Sequence, residues 1–296
     1  VRRREELLIV PGFLHVTSAD LAVVAPEILL CLLGTALVLL DAFAKGARPA
    51  FPYVTLAGLA AANFLGGYAP GSAFAGAVEG SELTRFVDLL AIVAVALATL
   101  GADALLARDK RNQGEFYAFL LWSASGLTLM VKGNDLLVVF LGLELMSIAL
   151  YVLATWYRDV PEATEAGMKY FLMGALASTF LLYGVATVYG RLGSTRLTTL
   201  KGALATGEGF SDPMLQVGIL AILAALAFKI ALVPFHSWAP DVYQGMTSPA
   251  VAFLSTAPKA GAVVVAVKVL AALAPAGLGE PWRPLLSLLA VLSILF

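Results

Sequence analysis

The sequence is short of nearly everything that builds a water-facing surface or a metal centre. It has one cysteine, Cys31, and two histidines, His15 and His236, among 296 residues. A single cysteine excludes an internal disulfide and any cysteine-built zinc or iron–sulfur site. Two histidines far apart in the chain leave too few ligands for haem or a zinc centre. Cys31 lies in an apolar run and reads as a small buried hydrophobe. Charged residues make up 13% of the chain, against about 25% in typical soluble proteins. They form no basic patch or stripe, so a nucleic-acid surface is excluded. The net charge of −1 conceals their placement, because most sit in short connections between apolar runs.

What is present is apolar: 60% of residues are hydrophobic and the mean hydropathy is +0.89. Runs such as Leu215 to Phe228 carry no charge at all, so the surface they present must face lipid. Lipid offers no partner to backbone N–H and C=O groups, which leaves helices or a closed barrel. Barrel strands alternate apolar and polar residues, and that alternation is absent. The fold class is therefore all-α, a polytopic bundle of transmembrane helices.

A spanning helix needs about 20 apolar residues. Eight segments qualify, at about 21–44, 50–68, 84–106, 115–132, 135–157, 165–190, 214–233 and 248–273. A ninth begins near Pro284 and is still apolar at Phe296, so the sequence is expected to be a truncated chain or a piece of a longer one. At the other end, Arg2-Arg3-Arg4-Glu5-Glu6 precedes a short apolar patch. The acidic pair and Pro11 argue against a signal peptide, and residues 1–20 read as a tail. The breaks carry their own chemistry. Asp109 to Gly114 is a charged turn. Asn134 is placed to cap the fifth segment, with Asp135 meeting its positive end. Pro161 and Glu162 precede the sixth segment, and Asp212-Pro213 starts the seventh. Loop cations do not decide orientation: one face has six, and the other has five, or eight with the tail.

Charges inside apolar runs are the informative residues, since each costs about 2.5–3.5 kcal/mol at a helix centre. Glu144 lies nine residues past Asp135, about 14 Å along its helix. Lys229 and Lys259 lie inside the seventh and eighth segments. Lys169 sits in the first turn of the sixth and is in register to pair with Glu165. Lys268, near a helix end, reads as snorkelling to the interface. Glu27, Asp41, Asp88 and Asp103 read as interfacial, and His236 as a hydrogen-bonded structural residue. The bland readings are an interhelical ion pair for Glu144 and snorkelling for Lys229.

Backbone breaks flank two of these lysines. Pro234 lacks an N–H, so the Ile230 carbonyl loses its helical partner and Val233 leaves helical geometry. Pro258 does the same to Leu254, beside Lys259. Broken helices build ion sites at the membrane midplane in transporters; the plainer reading of 234–249 is a polar loop with Trp238 and Tyr243 in an interfacial belt. Burial favours the neutral form of lysine and glutamate, and a nearby opposite charge restores the ionised one. A lysine balanced between the two can load and release a proton.

Three stretches then resemble one family. Gly133 to Ser147 (GNDLLVVFLGLELMS) is similar to the fifth-helix signature of the antiporter-like membrane subunits of NADH–quinone oxidoreductase, respiratory complex I. Lys169 to Ser178 resembles its sixth helix, and Phe228 to Gly245 its broken seventh. Asp241 to Gly245 and Ala257-Pro258-Lys259-Ala260 resemble the subunit N branch, and the resemblance covers roughly residues 20–296.

The resemblance implies a proton path through Glu144, Lys169, Lys229 and Lys259, with the glutamate pairing with a lysine and Lys229 carrying the proton. It implies helices 21–114, a first inverted repeat over 115–273 and the start of a second over 274–296. A lysine of the second repeat that would complete the exit falls outside this sequence. The chain would be a subunit of a proton-translocating NADH–quinone oxidoreductase, performing no redox step and holding no cofactor. NADH, FMN, iron–sulfur clusters and quinone would belong to other subunits. Its partners would be the lipid bilayer and the other antiporter-like and small membrane subunits, in the bacterial inner membrane, with an external amino terminus and loop 108–111 cytoplasmic. The rival readings are a subunit of an Mrp-type sodium/proton antiporter or of a membrane-bound hydrogenase. An enzyme acting on lipid-linked substrates would need paired carboxylates or a His-rich motif at the interface. A scaffold would tolerate Glu144→Gln and Lys229→Ala.

Overall fold

With no water to satisfy the backbone, each apolar run closes its own hydrogen bonds as a helix. The computed structural model describes residues 8–9, 15–67, 71–108, 113–205, 212–273 and 282–295. A short helix, α1 (Ser18–Val23), leads into α2 (Ala25–Phe43), α3 (Phe51–Gly67) and α4 (Glu82–Arg108). Then come α5 (Gln113–Lys132), α6 (Leu136–Ala154), α7 (Pro161–Leu192), the short α8 (Leu197–Ala205) and α9 (Pro213–Ile230). Beyond a break lie α10 (Trp238–Gly245), α11 (Ser248–Ser255), α12 (Ala257–Leu273) and α13 (Trp282–Leu295). Among the described residues, seven helical stretches are long and apolar enough to span a membrane: α2, α4, α5, α6, α7, α9 and the α11–α12 pair. The second expected segment, 50–68, is the 17-residue α3. The chain is thus a multi-pass membrane protein.

α5 is the hub, packed by α2, α4, α6 and α12, and most of its residues are buried. Where α5 crosses α6 the backbones touch. A Cβ on Gly142 would lie 2.7 Å from the Gly126 carbonyl oxygen, so only glycine fits. Without a hydrophobic force between helices in lipid, such small-residue contacts supply the packing. α7 pairs with α9 in the same way, through Gly184 against Gly218. Lipid-facing side chains, including Leu32, Leu97, Phe86, Leu141, Phe171 and Leu176, are exposed on the outside of the bundle.

One end of the bundle carries a small polar cap. The hairpin β3 (Gly71–Ala73) and β4 (Val78–Gly80) packs on α1, and Val78 bridges to Gly133. At this end Asp135, rather than Asn134, caps α6, accepting from the Leu137 N–H at 2.9 Å. Asn134 instead reaches Glu79, a contact across 55 positions that no local pattern announces. Asp212 caps α9 with Pro213 in its first turn, as the sequence predicts. α7 starts at Pro161, earlier than the expected 165, with Pro161 and Glu162 inside its first turn. A two-strand pairing of β1 (Leu8–Ile9) with β2 (His15–Val16) precedes α1, and α1 straddles the expected tail boundary at residue 20. Most of the 1–20 tail, residues 109–112 of the charged turn and residues 206–211 lie outside the described residues.

Candidate functional site

The break after α9 starts before Pro234. Ala231 takes a left-handed conformation (φ 64°, ψ 45°) and ends the helix at Ile230, where the expected segment ran to 233. The chain then turns into α10. Residues 234–249 are therefore no simple interfacial loop. Trp238 is 1% exposed, stacked on Tyr170 at 4.7 Å, and its indole N–H donates to the Phe228 carbonyl at 3.1 Å. That bond satisfies a carbonyl at the open end of α9. The second break falls at Thr256, which has non-helical dihedrals and separates α11 from α12 ahead of Pro258.

Lys229 stands one residue before the end of α9 and is 4% exposed, so it is buried in the protein rather than snorkelling. Its ammonium donates to the Ser147 hydroxyl at 2.6 Å and lies 5.7 and 5.5 Å from the ring centres of Tyr151 and Tyr170. Ser147 donates onward to the Leu143 carbonyl. Among the described residues, no carboxylate reaches Lys229 within ion-pair distance. Glu144 nevertheless lies close enough for its charge to act on Lys229. It accepts from the Ser178 hydroxyl of α7. Lys229 and Ser178 line a cavity of about 10 Å³, bounded also by Leu143, Tyr151 and Phe228, room for roughly one water. Glu144, Ser178, this cavity, Lys229 and Ser147 form a polar thread through an apolar layer of α6, α7 and α9.

The other two sequence-derived candidates lie apart from that thread. Lys169 is half exposed and pairs with Glu165, as its register predicts, and with Asp241 of α10, each at 2.6 Å. It does not meet Glu144, whose contact with α7 is nine residues further on at Ser178. Lys259, partly buried at the start of α12, lies 5.1 Å from the ring centre of Tyr243, whose hydroxyl is buried without a partner. His236 is partly buried and its Nδ1 has no partner either.

Sequence reasoning missed a second set of buried charges near the capped end. Glu27 and Asp88, expected at the interface, are 4% and 5% exposed. The ammonium of Lys132 lies 2.7 Å from Glu27 and 3.4 Å from Asp88. Lys268 does not snorkel; it donates to the Val131 and Gly133 carbonyls at 3.0 and 2.6 Å, closing the open end of α5. Asp41 pairs with Arg48 at 2.6 Å and accepts from the Gly114 N–H at 2.8 Å, capping the start of α5. Asp103 is exposed. Cys31 is only partly buried, its sulfur 3.2 Å from the Ser125 hydroxyl. Only interhelical packing assembles these contacts, so no spacing in the sequence gives them away. Among the described residues no cluster of three or more potential metal ligands occurs.

Comparison with known proteins points one way. The profile of a family described as "NADH:quinone oxidoreductase/Mrp antiporter, TM" matches residues 133–296. The chain is 39% identical over 281 residues to NADH-quinone oxidoreductase subunit N of Trichlorobacter lovleyi, covering 94% of this chain and 58% of that protein. Against the subunit N of Rhodospirillum rubrum it is 38% identical over 279 residues, 91% of this chain and 56% of the relative. The chain thus spans less than three fifths of the length of these relatives. Among solved structures it is similar to a chain of respiratory complex I from Thermus thermophilus, with TM-score 0.72 and 33% identity, covering 91% of this chain and 56% of that one. A chain of an archaeal membrane-bound sulfane sulfur reductase shares the fold, with TM-score 0.76 at 24% identity over 94% of this chain and 57% of the other.

Proposed function

This chain belongs to the NADH:quinone oxidoreductase/Mrp antiporter membrane family, and from that premise we propose that it is the proton-translocating part of a subunit N of NADH–quinone oxidoreductase. In this reading it moves protons while other subunits, carrying FMN and iron–sulfur clusters, pass electrons from NADH to quinone. It sits in the bacterial inner membrane against other antiporter-like and small membrane subunits, and binds no cofactor itself. Residues 115–273 act as one translocating repeat and 274–296 begin a second.

The observation that carries the reading is the environment of Lys229. A buried ammonium held by one neutral hydroxyl and two ring faces, rather than by a salt bridge, is weakly stabilised in its charged form. Small changes in the field at Glu144 therefore change whether Lys229 holds its proton. Ser147 and a water in the cavity give that proton a first step. Lys169 with Asp241 forms the mouth of the path where α7 begins, and Lys259 beside Tyr243 receives the proton on the far side of the α9 break. Lys169 acts there with Asp241 rather than with Glu144.

The test is Lys229→Ala and Glu144→Gln in the full-length subunit, reading NADH–quinone reductase activity and proton uptake in membrane vesicles. Loss of proton uptake with the enzyme still assembled is the expected result. Sodium-dependent exchange without NADH-linked activity would move the assignment to the antiporter branch.

A further inference from the structure

We infer that the cluster of Glu27, Asp88 and Lys132 is a second proton-binding site, in which one of the two carboxyl groups carries a proton. Three helices converge on it. Glu27 comes from the first turn of α2, Asp88 from the second turn of α4 and Lys132 from the last residue of α5. All three are under one-tenth exposed. The ammonium lies between the acids, so their facing oxygens are within about 6 Å of each other.

Unmet acceptors point to a bound proton. Lys132 faces one oxygen of each acid and also donates to the Val23 carbonyl at 3.4 Å. Glu27 Oε2 and Asp88 Oδ1 are buried with no donor. An ionised carboxylate only accepts hydrogen bonds, and a buried oxygen without a donor is costly. Protonating one acid removes one buried charge and leaves fewer lone pairs in need of a donor. The surrounding charges do not supply the missing donors. Arg85, one turn before Asp88 on α4, is within electrostatic reach, but it donates to Asn63 at 2.8 Å and its other terminal nitrogen is itself unpartnered. Lys268 of α12 is committed to the carbonyls of Val131 and Gly133, on either side of Lys132. Glu79 is bonded to Asn134, and Asp20 to Thr17 and Phe74.

The position suggests a use. α12 carries Lys259 and, nine residues on, Lys268, about 14 Å along the helix and next to the cluster. Lys259, Lys268, Lys132 and the two acids make a file of ionisable groups toward the capped end of the bundle. We assign the cluster as the end of that file. This assignment rests on the proton-translocating reading, whereas the bound proton does not.

The test reads the proton directly, in native membranes containing the full-length chain. A hydrophobic carbodiimide modifies protonated carboxyls buried in membranes; peptide mapping at neutral pH finds Glu27 or Asp88 modified. Independently, Asp88→Asn and Glu27→Gln mimic the protonated acid, and at least one leaves the melting temperature of the detergent-extracted protein unchanged, while Lys132→Met lowers it by several degrees. Modification of either residue, or one neutral amide variant, is the expected outcome. Absence of modification at both, together with destabilisation by both amide variants, means two ionised carboxylates and overturns the inference. Neither readout depends on proton pumping, so failure here and failure at Lys229 are separable.

Discussion

Lys229 and Lys132 show two ways of holding a buried ammonium. Lys132 sits between two carboxyl groups, while Lys229 is left with a serine and two tyrosine rings. Breaking a paired buried charge exposes its partner and costs about 3–5 kcal/mol, so Lys132→Met is predicted to destabilise the bundle, visible as a lower melting temperature. Lys229→Met leaves no stranded anion in ion-pair contact and should fold with wild-type stability. In transport the ranking reverses. Removing a group that hands on a proton slows transfer by on the order of a hundredfold, so Lys229→Met abolishes measurable proton uptake in vesicles. Ser178→Ala is a gentler probe. It removes the hydrogen bond that Glu144 accepts from Ser178 and should reduce proton uptake several-fold without changing subunit assembly. The special status of Lys229 was legible in the sequence, because a lysine in a run such as Leu226 to Leu232 stands out by composition. The partnership of Lys132 with Glu27 and Asp88 was not. Those residues are 105 and 44 positions from Lys132, and each alone looks like a charge near a helix end.

At the scale of elements, proline and cap signals carried well and partners did not. Pro234 marked a break, and the chain does leave the helix there, although Ala231 turns first. Asp212-Pro213 opens α9 as read. The cap of α6 went to Asp135 because Asn134 is drawn away by Glu79 of the hairpin, and the hairpin itself lies between apolar runs too long to suggest strands. The α5–α6 crossing is the most demanding contact between elements. Gly142→Val would push a side chain into the Gly126 carbonyl. It is predicted to cost at least about 1–3 kcal/mol, measurable as lower yield and earlier thermal unfolding in detergent. The join between the hairpin and α1 responds instead to pH. Hydrogen bonds from the Thr17 and Phe74 backbone N–H groups hold the Asp20 carboxyl below the usual carboxylate range. A depressed value means that its contribution is complete above the unfolded carboxylate value, about 3.9, and is lost as pH falls through the folded value beneath it. Protection of the Phe74 amide against exchange should therefore fall as pH drops through that lowered value in wild type and be low at all pH values in Asp20→Asn.

For the molecule as a whole, the sequence was enough to fix an all-α membrane bundle, because only lipid explains so much apolar surface. Its second expected segment is the 17-residue α3, packed between α2 and α4. The sequence could not tell that Lys169 would face Asp241 of α10 instead of Glu144, because the fold of the break decides where α10 lies. The central claim is that protons cross through Lys229 while electrons flow elsewhere in the assembly. The direct measurement is the ratio of protons taken up to NADH oxidised, in sealed vesicles bearing the full-length subunit with Lys229→Ala. The account predicts an assembled enzyme whose ratio falls, with Lys229→Arg falling too, since a guanidinium keeps its proton. An unchanged ratio in both variants would contradict it.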